Sequence, residues 1–301
     1  MDHNHLFLLF SNFCIRQGLS PHTIRAYRSD LQDFQKWRSS QDYQILDRET
    51  LGAWLEEMRN RNYTPATIKR KLATIKVALN WLEAMNFIKK NPFHGFKILL
   101  KLPKKLPRAL SRSNLSALFR QAEQDVQNQA CLRTKTIRLA LELLFVTGIR
   151  VGELCSIKLQ DIDLDSGVIK VNGKGSRERQ VYVVNDNSLL LLSKYTKERA
   201  TYRPSTNTIL LTSRGSAATP DFIRRNLHCL ARHAGIKSRV TPHMLRHSAA
   251  TQLLEQGVDI RYVQRLLGHS SISTTEIYTH VSNASLKACL KQADPRALFN
   301  P

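Results

Sequence analysis

Apolar positions recur every three or four residues through residues 1–96, which is the spacing of one face of an α-helix. The pattern predicts four helices, which cover Leu6–Arg16, a segment beginning at Ser20, Asp47–Asn60 and a segment beginning at Thr64. Ser20 and Thr64 each precede a proline, and a capping hydroxyl followed by proline is a typical helix start. The first part of the chain is therefore predicted to be a helical domain.

A basic segment with two prolines follows this domain. Residues 97–108 hold five basic residues and no acidic residue. Proline interrupts a helix and favours extended backbone at the residue before it, so the segment is predicted to be an interdomain linker. Its charge would let it lie along a phosphate backbone.

Beyond the linker, helical patterns dominate a second domain, residues 109–301. Helices are expected at Ser111–Asp125, Thr136–Val146 and Val151–Ile157, and a further helix begins at Thr219. Together with the first domain, these patterns predict a mainly α-helical protein with two domains.

Residues 161–184 read instead as a short antiparallel sheet. One strand contains Val168, and another covers Arg179–Val184. The turn between them, residues 172–176, contains Asn-Gly and a second glycine, which supply positive φ. Lys174 lies at its tip, where a lysine is usually only solubilising. The fold class is thus predicted to be mainly α with a small antiparallel β-sheet.

The stretch from Thr241 to His280 predicts three successive helices. In the first, apolar residues recur every four positions and form one face. His243 and Arg246 share another face, which is predicted to point away from Leu245. These polar side chains would therefore be available for chemistry.

The second helix of this stretch is predicted to begin at Asp259 and to end at Gly268. His269 follows at once. A third, short helix opens with an S-x-x-E capping box and carries Tyr278. The residues of the second helix expected to face inward are Ile260, Val263, Leu266 and Leu267.

The composition indicates that the partner of this protein is a polyanion. The formal net charge is +22, and hydrophobic residues make up 42% of the chain, enough for true cores. No apolar run approaches the roughly 18 residues that a membrane helix requires. The five cysteines are far apart, without metal or disulfide spacing, which favours a reducing cytoplasm and predicts no metal site.

The groups at the helix ends suit one task, which is to hold a phosphodiester and attack it. Arginine matches phosphate oxygens with a planar fork of donors, and tyrosine can be a covalent nucleophile. Arg150 precedes a predicted helix, whose N-terminus favours anions, and Glu153 is placed to orient its guanidinium. The alternative interpretation is a helical core with surface histidines.

Taken together, these motifs resemble those of the tyrosine recombinase (phage integrase) family, in a Xer-like or mobile-element form. The resemblance covers nearly the whole chain. It rests on five stretches, which are residues 19–34 (LSPHTIRAYRSDLQDF), 147–154 (TGIRVGEL), 172–179 (NGKGSRER), 243–251 (HMLRHSAAT) and 266–281 (LLGHSSISTTEIYTHV). The family fold implies a two-domain DNA clamp, with an N-terminal helical core-binding (SAM-like) domain and a C-terminal α+β catalytic domain.

The resemblance also implies a catalytic set that holds the scissile phosphate. Arg150 and Arg246 would clamp its non-bridging oxygens, and His269 would hydrogen-bond to it. With these cations in place, neither a metal nor another cofactor is expected.

The remaining implied roles are those of bond making and breaking. Tyr278 would attack the phosphate and form a 3′-phosphotyrosyl link. Lys174 would protonate the departing 5′-hydroxyl, and His243 would act as acid and base near the nucleophile. Each role follows from the resemblance alone.

Further basic residues outside this set are candidates for contact with the DNA backbone, against the alternative of solvated helix faces. They are Arg25, Arg28, Lys69, Arg70, Lys76, Lys104, Lys105, Arg224 and Arg225.

The expected partner is double-stranded DNA with a specific core site, and the expected setting is the cytoplasm, at the nucleoid and not at a membrane. The resemblance implies four protomers on synapsed DNA, as a homotetramer or with a paralogous recombinase. The tail, residues 282–301, is expected to dock on a neighbouring subunit, with docking on its own domain as the alternative. A catalytically silent DNA-binding protein and a relaxing topoisomerase remain alternative functions.

Overall fold

The structure, a computed structural model, describes residues 3–41, 43, 46–96, 109–173, 178–268, 287, 290–294 and 296. The chain divides into two compact units, Met1–Lys105 and Leu106–Pro301. Within the described residues, no helix is both long and apolar enough to cross a membrane. The predicted linker, residues 97–108, lies outside the described residues.

The first unit contains the four predicted helices. They are α1 (His3–Arg16), α2 (Pro21–Ser40), α3 (Arg48–Asn60) and α4 (Pro65–Ala84). The predicted starts of α2, α3 and α4 are confirmed because the capping side chains accept hydrogen bonds from backbone N–H groups three residues later, whereas α1 begins at His3 and not at Leu6. These bonds join Thr23 to Ser20 (3.2 Å), Thr50 to Asp47 (2.8 Å) and Thr67 to Thr64 (3.3 Å).

Aromatic packing forms the centre of this unit. Trp54 of α3 is fully buried, and its ring centroid lies 5.7 Å from Phe34 and 4.9 Å from Trp37 of α2. Leucine and isoleucine residues of α4 close the same core. Burial of such large rings is the main source of stability in a small helical unit.

The second unit is mainly helical. Its helices are α5 (Arg112–Asn128), α6 (Leu132–Val146), α7 (Val151–Ser156), α8 (Asp186–Arg199), α9 (Pro220–His233), α10 (Pro242–Glu255) and α11 (Ile260–Leu267). The helix α8 was not predicted, because four consecutive leucines at residues 189–192 mark no single face. In the fold, Leu192 is buried and Leu190 is exposed.

Three antiparallel strands complete the described part of the unit; the two predicted strands are confirmed, and the short strand before them was not predicted. They are β1 (Ile162–Asp163), β2 (Val168–Asn172) and β3 (Glu178–Tyr182), in the order β1-β2-β3. The ladder between β2 and β3 pairs Val171 with Arg179. Most of the predicted turn, including Lys174, lies outside the described residues.

The core of this unit surrounds α6, which is buried along most of its length. The predicted apolar face of α10 is confirmed, since Leu245, Ala249 and Leu253 are all buried. The prediction for Ile260 is wrong, because its side chain is 55% exposed. Ile260 follows the N-cap directly, in a first turn that faces solvent.

The described tail residues pack on the second unit of the same chain. Leu290 and Ala293 join its core. The Arg296 guanidinium lies 4.1 Å from the Phe119 ring centroid and contacts the Glu142 carboxylate. These contacts are those of the alternative, docking on the chain's own domain, while docking of the tail on a neighbouring subunit stays a prediction.

Candidate active site

The first candidate side chain, Arg150, is fixed where the turn after α6 meets α7. Its backbone N–H donates to Glu153 Oε2 (2.9 Å), and its Nη1 donates to Glu153 Oε1 (3.0 Å). Its Nη2 donates to the Gly268 carbonyl (3.1 Å). Glu153 therefore holds both the backbone and the guanidinium of Arg150, as the sequence indicated, and the side chain stays partly exposed.

The second arginine, Arg246, is buried in α10. Its Nη1 donates to the Gly148 carbonyl (2.6 Å), and its Nη2 donates to the Leu267 carbonyl (2.6 Å). Its exposed fraction is only 6%, although its face was expected to point away from the core. The turn at Gly148 and the end of α11 cover it, and local periodicity does not reveal such distant segments.

Burial changes the acid–base character of Arg246. Desolvation lowers the pKa of its guanidinium to about 10, and the nearby positive charge of Arg150 acts in the same direction. Within the described part of the chain its contacts are carbonyl oxygens and not carboxylates. A full positive charge is therefore held at neutral pH without a contacting carboxylate among the described residues.

Two glycines allow this close arrangement. Gly148 and Gly268 have φ of +61° and +62°, the left-handed region that favours glycine. A Cβ at Gly148 would lie 2.6 Å from Leu267 Cδ2. The turn before Arg150 and the end of α11 therefore approach closely enough for Arg246 to bridge them.

A third arginine, Arg179 of β3, completes the cluster and was not among the predicted site residues. Its Nη1 and Nη2 donate to Glu153 Oε1 (2.9 Å) and Oε2 (2.8 Å). Burial raises the pKa of Glu153, but the bonds from Arg179 and Arg150 outweigh it and leave this pKa lowered. The alternation of β3 was the available signal, since Arg179 shares a face with the buried Val181.

Of the four other predicted catalytic residues, the structure describes only His243. His243 is exposed in the first turn of α10, three residues before Arg246. Lys174, His269 and Tyr278 lie outside the described residues. Within the described residues there is no group of three His, Cys, Asp or Glu side chains able to hold a metal.

Together, the three guanidinium groups and the Glu153 carboxylate carry a net positive charge, which favours a nearby anion. Glu153 is the one carboxylate in contact with them within the described residues. Guanidinium groups that outnumber their carboxylates retain attraction for a phosphate or another oxyanion.

Comparison with known proteins agrees with this chemistry. Residues 108–285 match the phage integrase family, and residues 9–86 match the N-terminal SAM-like domain of phage integrases. The chain belongs to the phage integrase family of tyrosine recombinases. The predicted fold class, a SAM-like helical domain followed by a catalytic domain with a small sheet, is confirmed.

Related proteins align with this recombinase over almost its whole length. A tyrosine recombinase of Agathobacter rectalis is 36% identical over 299 residues, covering 97% of this chain and 96% of the relative. Tyrosine recombinase XerD of Listeria monocytogenes is 34% identical over 296 residues, covering 94% and 96%. A lambda integrase tetramer bound to a Holliday junction shares the fold, with 20% identity, a TM-score of 0.67 and coverage of 90% and 75%.

The predicted DNA-contact residues of this recombinase differ in their surroundings. Arg70 pairs with the buried Asp30 of α2, so its charge is partly neutralised within the first unit. Arg224 pairs with Asp221 on its own helix. Lys104 and Lys105 lie outside the described residues. The remaining candidates are exposed, and they are Arg25, Arg28, Lys69, Lys76 and Arg225.

Proposed function

We propose that this tyrosine recombinase cuts and rejoins double-stranded DNA at a specific core site through a covalent 3′-phosphotyrosyl intermediate at Tyr278. The observation that carries the proposal is the charge of the cluster. Arg150 and Arg179 share one carboxylate, Glu153, and Arg246 is buried against carbonyl oxygens, without a carboxylate contact among the described residues. A scissile phosphate is the anion that would complete this arrangement.

Arg150 and Arg246 would hold the non-bridging oxygens of that phosphate. Charge develops on these oxygens as the fifth bond to phosphorus forms, so fixed guanidinium groups stabilise the transition state more than the ground state. Glu153 would keep Arg150 in place, and His269, next in sequence to Gly268, would add a further hydrogen bond.

The bond changes balance without an external energy source. The phenolic oxygen of Tyr278 forms a bond to phosphorus, and the bond from phosphorus to the 5′ oxygen breaks. His243 would take the phenolic proton, and Lys174 would give a proton to the departing 5′ oxygen. Because one phosphodiester replaces another, a second 5′-hydroxyl reverses the reaction and joins new strands.

Surface charge supports a long DNA contact. The chain carries a net charge of +22, and exposed basic residues lie on α2, α4 and α9. Together with Lys104 and Lys105 of the linker, these residues would bind backbone phosphates, and binding should weaken steeply with added salt. We propose domain limits of 1–96, 97–108 and 109–301 for this clamp.

The proposed active form is a tetramer on synapsed DNA, either of this chain alone or with a paralogous recombinase. Lambda integrase, which shares the fold, forms a tetramer on a Holliday junction. The proposed setting is the cytoplasm, at the nucleoid.

The test is covalent trapping on a nicked suicide substrate. Wild-type protein should form an adduct that survives denaturation, and Tyr278→Phe should form none while its affinity for DNA stays within about three-fold. Tyr202→Phe, in the second unit and partly exposed, is the matched control and should form the adduct normally.

The same assay separates the alternatives. An adduct with Tyr278→Phe would contradict the assignment of the nucleophile. A wild-type protein that binds but never forms an adduct would be a silent DNA-binding protein. An enzyme that relaxes supercoils without exchanging strands between two duplexes would be a topoisomerase.

A further inference from the structure

We infer that Arg179 is a positioning residue for strand cleavage, which couples three segments that each carry a candidate catalytic side chain. The inference rests on the proposed function and assigns a role to a residue that was not predicted. It is carried by the bonds of one guanidinium group in the second unit.

All three nitrogen atoms of this guanidinium are used inside the protein. Nη1 and Nη2 donate to the two oxygens of Glu153, at 2.9 and 2.8 Å, and Nε donates to the Leu266 carbonyl at 3.2 Å. The side chain is largely buried. Because the Nη1–Nη2 fork of Arg179 is occupied by Glu153 and the side chain is less exposed than that of Arg150 (15% against 38%), Arg179 is expected to act through its partners.

Each end of these bonds belongs to a different segment. Glu153 lies in the first turn of α7, three residues after Arg150. Leu266 lies near the end of α11, three residues before His269. Arg179 itself lies on β3, paired with Val171 of β2 at the base of the hairpin that carries Lys174. The Arg179 side chain thus links the three segments of the chain that carry catalytic candidates.

The contact with α11 depends on Gly268. A Cβ at this position would lie 3.0 Å from Arg179 Nε and 3.1 Å from its Cδ. The glycine that ends α11 therefore makes room for the arginine, in addition to supplying the positive φ of the turn.

Arg179 also controls how strongly Glu153 neutralises Arg150. Glu153 Oε1 accepts from both Arg150 and Arg179, and Oε2 accepts from the Arg150 backbone and from Arg179. Without Arg179, the carboxylate would serve Arg150 alone and would compete more effectively with a phosphate for its guanidinium. Loss of Arg179 should therefore weaken phosphate activation as well as loosen the hairpin.

The experiment compares Arg179→Ala and Arg179→Lys with Lys170→Ala, a control that removes an exposed cation from the same hairpin. Single-turnover cleavage of the suicide substrate is measured at saturating protein, and the Kd for DNA is measured separately. We expect Arg179→Ala to cleave roughly 10- to 100-fold more slowly, the penalty typical of a displaced catalytic group. Its Kd should stay within about three-fold of wild type.

Arg179→Lys should recover only part of the rate, because an ammonium group lacks the planar fork that spans both oxygens of Glu153. A substrate with sulfur in the bridging 5′ position needs little protonation of its leaving group. On this substrate, Arg179→Ala should regain the part of its cleavage rate that it loses because Lys174 is misplaced. A loss of rate that merely follows a loss of folded protein would be equal on both substrates.

Three results would overturn the inference. The first is that Arg179→Ala cleaves as fast as Lys170→Ala. If wild type still forms its Tyr278 adduct, this result leaves the proposed function intact. The second is full activity of Arg179→Lys, which remains decisive if the alanine variant fails to fold. The third is the absence of any wild-type adduct, which would overturn the proposed function as well.

Discussion

Two buried carboxylates of the second unit, Glu142 and Glu153, both contact arginines but differ in charge balance, which is neutral around Glu142 and positive around Glu153. Glu142 is 2% exposed and accepts from Arg138 (2.6 Å), Ser188 (2.6 Å) and Arg296 (3.4 Å). Arg138 also pairs with Glu123 (2.9 Å), so two guanidinium groups meet two carboxylates. Around Glu153, the described residues place three guanidinium groups beside one carboxylate, of which those of Arg150 and Arg179 contact it and that of Arg246 contacts carbonyl oxygens.

The two clusters shift the pKa of their arginines in opposite directions. Burial lowers the pKa of Arg138, but the charges of Glu142 and Glu123 outweigh it and leave this pKa raised. The pKa of Arg246 is lowered to about 10 by burial, with Arg150 adding to the effect. A balanced buried cluster is internally satisfied, whereas an unbalanced one marks a site where a ligand of opposite charge is expected.

The largest effect that follows from this contrast is on cleavage. Arg246→Ala should slow single-turnover cleavage of the suicide substrate by roughly 10³- to 10⁵-fold, the range for an arginine that stabilises a phosphoryl transition state. Arg138→Ala is the control from the balanced cluster. It should lower the melting temperature, while the folded fraction cleaves at the wild-type rate. Equal cleavage rates for Arg246→Ala and Arg138→Ala would contradict the proposed difference between the two clusters.

The second effect is on stability. Glu142→Ala leaves Arg138 and Arg296 without their shared carboxylate, and breaking a buried ion pair costs about 3–5 kcal/mol. We expect urea unfolding to report a loss of this size. A loss no larger than that for Arg246→Ala would mean that charge balance does not separate the two clusters.

Arg296→Ala should give a smaller loss, about 1.5–3 kcal/mol, the usual value for a hydrogen bond to a charged group. It also tests the docking of the tail. Since Arg296 contacts Glu142 within one chain, the loss should be the same at every protein concentration. A melting temperature that rises with concentration in wild type, but not in Arg296→Ala, would show docking between subunits instead.

The smallest effect is the pH dependence of stability from Glu153. Its folded pKa lies below the unfolded value of about 4.3, so it adds stability that is complete above that pH. This contribution disappears as the pH falls through the folded pKa. The difference in free energy of unfolding between wild type and Glu153→Gln should therefore shrink on acidification from pH 7. A difference that grows on acidification would contradict this assignment.

Local pattern was sufficient for most elements of the fold. Caps and apolar spacing predicted the helices of the first unit, the hairpin, and the helices α10 and α11. The helix α8 was missed because its leucine run has no face, and Ile260 was misplaced because spacing alone does not show which first-turn residue stays uncovered. The confirmed predictions concern helices and strands whose formation is determined by the residues of one short segment.

The candidate site was predicted less completely, for a physical reason. Arg150 and Glu153 are three residues apart, so their contact is readable from one helix start. Arg246 is covered by the Gly148 carbonyl, 98 residues away, and Arg179 reaches Glu153 across 26 residues. The burial of Arg246 depends on tertiary packing, which neither periodicity nor motif spacing encodes. Strand alternation places Arg179 on the inner face of β3 but does not show which carboxylate it contacts.

The central claim is that the uncompensated charge around Glu153 holds the scissile phosphate. It is tested most directly with a suicide substrate in which a methyl group replaces one non-bridging oxygen of that phosphate and removes its negative charge. On this substrate the deficit of Arg246→Ala relative to wild type should fall below about ten-fold, because the charge to be stabilised is gone. A deficit as large as that on the natural phosphate would contradict the account.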